Sequence, residues 1–356
     1  MRLTYARSPL GAVLLPLGFL VLGTTACEAE GGAPGPTAVH SLNQFPSFGE
    51  IGVRESAEAE ALLYRVQDAA FLDGLVAVVD GAPPWIRIFG VDGTFRGSLL
   101  PQGEGPGEAG QPRALSRTSS GALSVTEGRR AQVVTRDGVA QGTISLPGHL
   151  LRWAGEFCGR EHALWAFPLG QEDPPNHLVV ASGDAADADT ILTWGSARGA
   201  WSGREPPHVV PSSEGLLLHT EELERERILE LDCRGEIQRE IPLEPLGPPE
   251  RYADLPGGGF GLLPADPPLP GGLARAGAHV IWATRELRSG PEAALDSVTV
   301  VGIHLENGEE RRTELSGWYR LHDGDAHGRL LWSAGYPVAR VILVDVDDLM
   351  EVATRP

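Results

Sequence analysis

The residues of this chain whose types and spacing could do chemistry fall in three short stretches. In HDGDAH, His322, Asp323, Asp325 and His327 place two imidazoles and two carboxylates close together, donor types that zinc accepts. The same stretch also reads as a polar, glycine-containing turn ahead of the apolar run GRLLWSA, and that is the reading adopted. In DAADAD, Asp184, Asp187 and Asp189 offer oxygen ligands, but the D-x-[DN]-x-[DN]-G spacing and closing Glu of an EF-hand are missing, so an exposed hairpin loop is expected. Residues 105–110, GPGEAG, satisfy G-x-G-x-x-G. A dinucleotide fingerprint joins a strand to a helix whose N-terminus holds pyrophosphate. Here QPRALSRTSSGALSV breaks helical spacing at Ser119, Ser120 and Gly121, and Glu104 and Glu108 would repel phosphate. No metal and no cofactor is expected. No G-x-S-x-G elbow is present, and scattered Ser, His and Asp assign no triad, so catalytic residues stay unknown.

Composition narrows the partners. The 356 residues carry 29 Lys+Arg against 48 Asp+Glu, a formal charge of -19, with no compensating basic block. A phosphate backbone would be repelled, so nucleic acid is excluded as a partner. The 46 Gly and 29 Pro point to many turns and few long helices.

The N-terminus reads as an export signal. Arg2 and Arg7 form a basic region, Leu10 to Leu22 an apolar stretch of 13 residues, and GTTAC ends in small residues before Cys27. The apolar stretch is too short to span a bilayer and contains Pro16. GTTAC resembles a bacterial lipobox, departing from it at Thr24, where that pattern usually has Leu. Lipid attachment at Cys27 and simple cleavage after Ala26 both stay open. The expected locations are accordingly the cell envelope (periplasm or outer membrane, lipid-anchored) or the medium. Either cut removes Arg2 and Arg7 and takes the charge from -19 to -21. Residues 27–44 read as a flexible tether. Cys158 and Cys233 remain, a possible disulfide outside the cytoplasm or two buried thiols.

The elements that must position any site follow from self-similarity. Six segments align without gaps: GLVAVVD, GALSVTE, EHALWAF, GLLLHTE, AHVIWAT and GRLLWSA. Their fifth column holds Val78, Val125, Trp165, His219, Trp282 and Trp332, at intervals of 47, 40, 54, 63 and 50 residues. Four-stranded propeller blades repeat at roughly 40–50 residues. Hairpins follow at Asp92-Gly93, Asp137-Gly138, Arg234-Gly235 and Asn307-Gly308. The last repeat, ARVILVDVDDLM, lacks a final strand, and FPSFGEIGV ahead of the first could supply it. The expectation is an all-β, six-bladed β-propeller with four-stranded antiparallel blades over 45–350, closed by an N-terminal strand, with 351–356 as a tail. QGEGPGEAG, residues 102–110, is then the crossover from one blade to the next.

IRIFGVDGTFRG followed by GEGPGE resembles the bacterial six-bladed β-propeller family related to NHL-repeat proteins, in which a G-x-GPGEF loop follows an aspartate-glycine hairpin. The chain departs from that pattern at Ala109, where Phe is common. The resemblance is strongest over residues 72–146 and implies the fold far more than an activity.

For function, the fifth-column tryptophans read as core between blades, with a binding cage as the sharper alternative. TEELERERIL, Thr220 to Leu229, reads as a hairpin extension. The proline-rich run Leu255 to Leu273 is the preferred candidate for a lid or partner contact, with a bland insertion as an alternative of at least equal weight. The favoured activity is an extracytoplasmic binding or scaffold module for a protein, peptide or glycan, touching the membrane only through its lipid. The alternative is a metal-dependent lactonase- or hydrolase-type enzyme with its site in the central channel.

Overall fold

The structure is a computed structural model that describes residues 39–45, 47–52, 61–159, 161–170, 175–181, 188–196, 208–212, 214–222, 225–243, 252–254, 260–262, 269–286, 297–335 and 339–352. It is a six-bladed β-propeller. Two strands precede the ring, β1 (Val39–His40) and β2 (Ser47–Ile51). Blade 1 is β3 (Val66–Leu72), β4 (Leu75–Asp80), β5 (Ile86–Gly90) and β6 (Phe95–Ser98). Blade 2 is β7 (Ala114–Arg117), β8 (Leu123–Glu127), β9 (Arg130–Val134) and β10 (Ala140–Ser145). Blade 3 is β11 (His149–Phe157), β12 (Glu161–Pro168), β13 (Pro175–Ala181) and β14 (Ala188–Ser196). Blade 4 is β15 (Val209–Ser212), β16 (Gly215–Glu222), β17 (Arg225–Asp232) and β18 (Ile237–Pro242). A separate two-stranded hairpin follows, β19 (Tyr252–Asp254) with β20 (Phe260–Leu262). Blade 5 is β21 (Leu269–Ala276), β22 (His279–Glu286), β23 (Ser297–His304) and β24 (Glu310–Ser316). Blade 6 is β25 (Tyr319–Gly324), β26 (Arg329–Ala334) and β27 (Arg340–Asp345), completed on its outer side by β2.

All six aligned segments form the second strand of their blades, so the column is a physical position. Each of its six residues is buried. Trp165, Trp282 and Trp332 belong to three different apolar clusters, and no cage forms from them. Each blade alone would leave two apolar faces wet, and stacking it between neighbours removes both from water.

Ring closure is as expected from FPSFGEIGV. β2 runs antiparallel to β27, with Ile51 opposite Val341, and Ile51 is fully buried. The hairpin turns differ from the two-residue type in that only the glycine has positive φ, +81° at Gly93 and +80° at Gly138. The amide of Gly93 bonds the Gly90 carbonyl and the Asp92 carboxylate accepts the Thr94 amide, the pattern of a type I turn followed by one left-handed residue.

The crossover 102–110 is held from within. The amides of Gly103, Gly105, Gly107 and Gly110 bond the Ala109 carbonyl, Glu108 Oε2, Gln132 Oε1 and Glu127 Oε1 respectively. A phosphate cradle needs such amides free. Arg130 collects the carbonyls of Glu104, Gly105 and Glu108 and pairs with Glu127 at 2.7 Å. Blade 1 repeats the device. Asp80 accepts the amides of Tyr64, Arg65 and Gly81 and pairs with Arg87 at 2.5 Å, both side chains buried. Losing one partner of such a pair costs about 3–5 kcal/mol. An acid at the last column position, with an arginine on the third strand, thus pins the chain entering the blade. Ala109, the departure from the family loop, is fully buried among Leu99, Leu100 and Leu115.

Two boundaries are corrected. Residues 27–44 do not all lie outside the fold. Val39–His40 adds to blade 5 as a fifth strand, parallel to β24, and a 3-10 turn at Leu42–Gln44 buries Leu42 completely. At the other end, Val346–Val352 form a helix, α1, where a strand and then a tail from 351 were expected. Asp345 accepts the Asp347 amide at its start, while Leu349 and Met350 seal the lower edge of blades 5 and 6. The extension expected at TEELERERIL is present, since β16 and β17 stay paired out to Glu222 and Arg225. Of the proline-rich run, only Phe260–Leu262 and the start of β21 lie among the described residues.

Cys158 and Cys233 are joined by a disulfide, with Cα atoms 5.7 Å apart and a sequence separation of 75. The bond links the turn after β11 in blade 3 to the β17–β18 hairpin of blade 4. Closing a loop of that length restricts the unfolded chain by about 4 kcal/mol in the chain-entropy model. Cys158→Ser, or full reduction, is expected to lower stability by about 2–4 kcal/mol, read as a drop in the denaturant midpoint with Ellman titration confirming the free thiol. An unchanged midpoint in reductant would refute the bond.

Candidate functional site

The inner strands β3, β7, β11, β15, β21 and β25 surround the axis, so their side chains form the wall of any channel. Together they carry Arg117, Arg152, Arg275 and Arg320 against Asp68, Glu156 and Asp323. That is four cations to three anions in a chain of net charge -19.

The three carboxylates are spent on the backbone. Asp68 accepts the amides of Ala69 and, across the blade boundary, Leu115 at 2.7 Å. Asp323 accepts the amides of Gly324 and, from blade 6 to blade 1, Phe71 at 2.9 Å. Glu156 accepts the Ser119 amide and its hydroxyl. An inner strand has no ladder partner on its axial side, and carboxylates from a neighbouring blade satisfy amides left over. None of the three hydrogen-bonds an inner-strand arginine.

Blade 6 supplies the densest part of the wall. His322 sits where the β25–β26 register shifts, between Leu321 and Asp323, and such an extra residue re-aims its side chain. Arg152 occupies the equivalent irregularity of β11. His322 donates from Nδ1 to Asp68 at 3.0 Å and accepts the Ser333 hydroxyl at Nε2 at 2.7 Å. This is the connectivity of a serine-hydrolase relay. Ser333 is only 7% exposed and the His322 side chain 1%, and the three groups tie blade 6 to blade 1.

Arg320, opposite Ser333 in the ladder, differs from these satisfied groups. Its Nη2 is buried without a hydrogen-bond partner, a deficit of about 1–3 kcal/mol or more for a charged donor. Burial pushes its pKa down to about 10, opposed by Asp68, so it stays charged at neutral pH. In blade 4, burial first, then His219, Arg320 and His322, hold His208 well below the usual imidazole range. His208 meets Trp282 edge-on at 5.4 Å between ring centroids, and His219 lies tilted over it at 4.1 Å. His219 is therefore a core residue, buried against an aromatic face.

Two aromatic side chains stand at the entry end of the inner strands. Tyr64, just before β3, is 76% exposed and Trp318, just before β25, is 45% exposed. All inner strands of a propeller run the same way, so both rings lie on one face, at adjacent blades.

Of the residues singled out in the sequence, HDGDAH is split. His322 and Asp323 bond across to blade 1, Asp325 caps the β25–β26 turn through the amides of His327 and Arg329 and the Arg329 side chain, and His327 is exposed. Asp189 is exposed, while Asp184 and Asp187 lie outside the described residues. Among the described residues no three His, Cys, Asp or Glu side chains gather as metal ligands. Sequence reading missed Asp68, Arg320 and His208, because nothing local distinguishes them. The one available signal was polar residues at positions of the first strand that precede each column segment.

No family model matches the chain, and no curated protein sequence does. Solved structures resemble it in fold. A presumed exported protein from Bacteroides fragilis aligns at TM-score 0.55 and 10% identity, over 87% of this chain and 97% of its own. A gluconolactonase from Xanthomonas campestris aligns at 0.43 and 13%, over 78% and 87%, and the Pan2 WD40 domain of Neurospora crassa at 0.42 and 10%, over 86% and 97%. At these identities the likeness concerns architecture alone, and the last two scores carry no argument.

Burial raises the Asp323 carboxyl to about 6, with Asp68 adding to the rise and the Phe71 amide, Arg117 and the Gly324 amide opposing it. Its folded pKa exceeds the unfolded one, so the folded state holds a proton the unfolded state has lost. That contribution is complete below about pH 4 and vanishes as pH rises through 6. A carboxyl resonance titrating near 6, absent in Asp323→Asn, is the expected NMR result, and a midpoint near 4 contradicts it.

Proposed function

We propose that the protein is an exported binding module, tethered to the cell envelope by lipid at Cys27, that takes a protein, peptide or glycan segment at the entry end of its channel. The observation that carries the reading is the pair of exposed rings, Tyr64 and Trp318, flanking the blade 6–blade 1 seam above a polar wall. An aromatic face offers contact area to a sugar or an extended peptide at small entropic cost, and polar groups beneath it set orientation. Isolated exposed apolar residues are ordinary, but two aromatics at one mouth are a local concentration.

The basic and apolar N-terminal stretch, the disulfide and the acidic, lysine-poor surface all suit a protein working outside the cytoplasm. The hydrolase alternative needs metal ligands or an open nucleophile. The described part of the wall brings together neither, and binding is therefore preferred.

Screening the mature protein on glycan and peptide arrays is expected to give a ligand class whose retention falls at least tenfold in the Tyr64→Ala/Trp318→Ala double variant, with the melting temperature unchanged. Equal retention by the variant rejects this face. For the anchor, wild type is expected in the detergent phase and in the labelled-palmitate band, and Cys27→Ala in neither. A Cys27→Ala protein that still partitions with membranes removes the lipid from the proposal.

A further inference from the structure

Arg320 presents a problem of charge. Its Nη2 is buried without a partner, and the nearest carboxylate, Asp68, is already bonded to two backbone amides and to His322. On the inner strand of blade 6 it stands opposite Ser333, two residues before the His322 that bonds Asp68 of blade 1. Further around the wall, Arg152 senses Arg113, a like charge. Asp323 and Glu156 are likewise spent on amides. Arg320, half-buried as a residue, thus keeps Nη2 as a donor without an acceptor, and an oxyanion supplies the acceptor a guanidinium edge matches.

We propose that Arg320 anchors an oxyanion site beside the blade 6–blade 1 seam, receiving a carboxylate or phosphate group of the ligand. The proposal rests on the binding reading above and names the chemistry of its ligand. It reconciles a protein of strongly negative surface with a wall in which cations outnumber anions. The surface turns away polyanions in general, and only a ligand whose neutral part engages the rim brings its charge to Arg320. Tyr64 and Trp318 lie at the entry end of β3 and β25, four residues before Asp68 and two before Arg320.

The test is thermal unfolding of the full mature protein with two pairs of probes, each compared with sodium chloride at equal ionic strength. Galacturonate against its methyl ester tests a carboxylate, and glucose 6-phosphate against glucose a phosphate. The expected result is a rise in melting temperature of roughly 2–5 °C per tenfold increase of one acidic probe, with its neutral counterpart at least tenfold weaker. Arg320→Met should melt at or above wild type, having lost an unsatisfied buried charge, and should lose the response. Arg320→Lys, which keeps the charge without the fork, should retain part of it. No rise beyond chloride in wild type, or an undiminished rise in a folded Arg320→Met, overturns the site. An ester that binds as well as its acid also overturns it, while leaving the aromatic-rim reading standing. If Arg320→Met does not fold, the wild-type pairs still decide.

Discussion

The pairing of Ser47–Ile51 with Arg340–Asp345 is the constraint on which the molecule depends. A radial stack of sheets has a first and a last member, and without a strand shared between the chain's two ends the final blade would expose a long edge of unpaired amides and carbonyls. With β2 in place, Ile51 enters a cluster that includes Val76 and Val78 of blade 1 and Val341 and Leu343 of blade 6, so one strand completes both a ladder and an interblade core. Arg340 adds an ion pair to Glu50 at 3.2 Å across that junction.

Closure also fixes what can happen at the axis. Six inner strands brought side by side direct amides into a space with no further strand to meet them. Asp68 and Asp323 answer by bridging blades 1 to 2 and 6 to 1, and the His322 and Ser333 bonds thicken the same seam. Residues that look like chemistry in isolation are thus used to hold neighbouring blades at a fixed rotation. Arg320 is the exception that this accounting leaves over.

Much of the ring was legible in the sequence because each blade repeats the same physical problem. Val78 and Trp332 differ in size, yet both fill the space between a second strand and the adjoining blade, and alignment of their segments was enough to count six. The crossover at 102–110 was legible from its glycines, though not the way Gln132 and Glu127 occupy their amides from the following blade. The fifth strand at Val39–His40 was hidden because two residues carry no periodicity. The helix Val346–Val352 was hidden because VILVDV reads as strand until Asp345 caps the next turn, and the Asp347-Asp348 pair after it was the overlooked signal. The wall was hidden for a different reason. Asp68 and His322 lie 254 positions apart, and only closure of the ring brings them within 3.0 Å.

The disulfide lies between blades 3 and 4, diametrically across the ring from the junction of blades 6 and 1. The protein therefore has two clasps of unlike kind, one covalent and one made of strand pairing, at opposite points of its circumference. Lose the sulfur bridge and a second compliant joint appears facing the first, so that blades 1–3 and 4–6 become halves able to open like a locket about the axis.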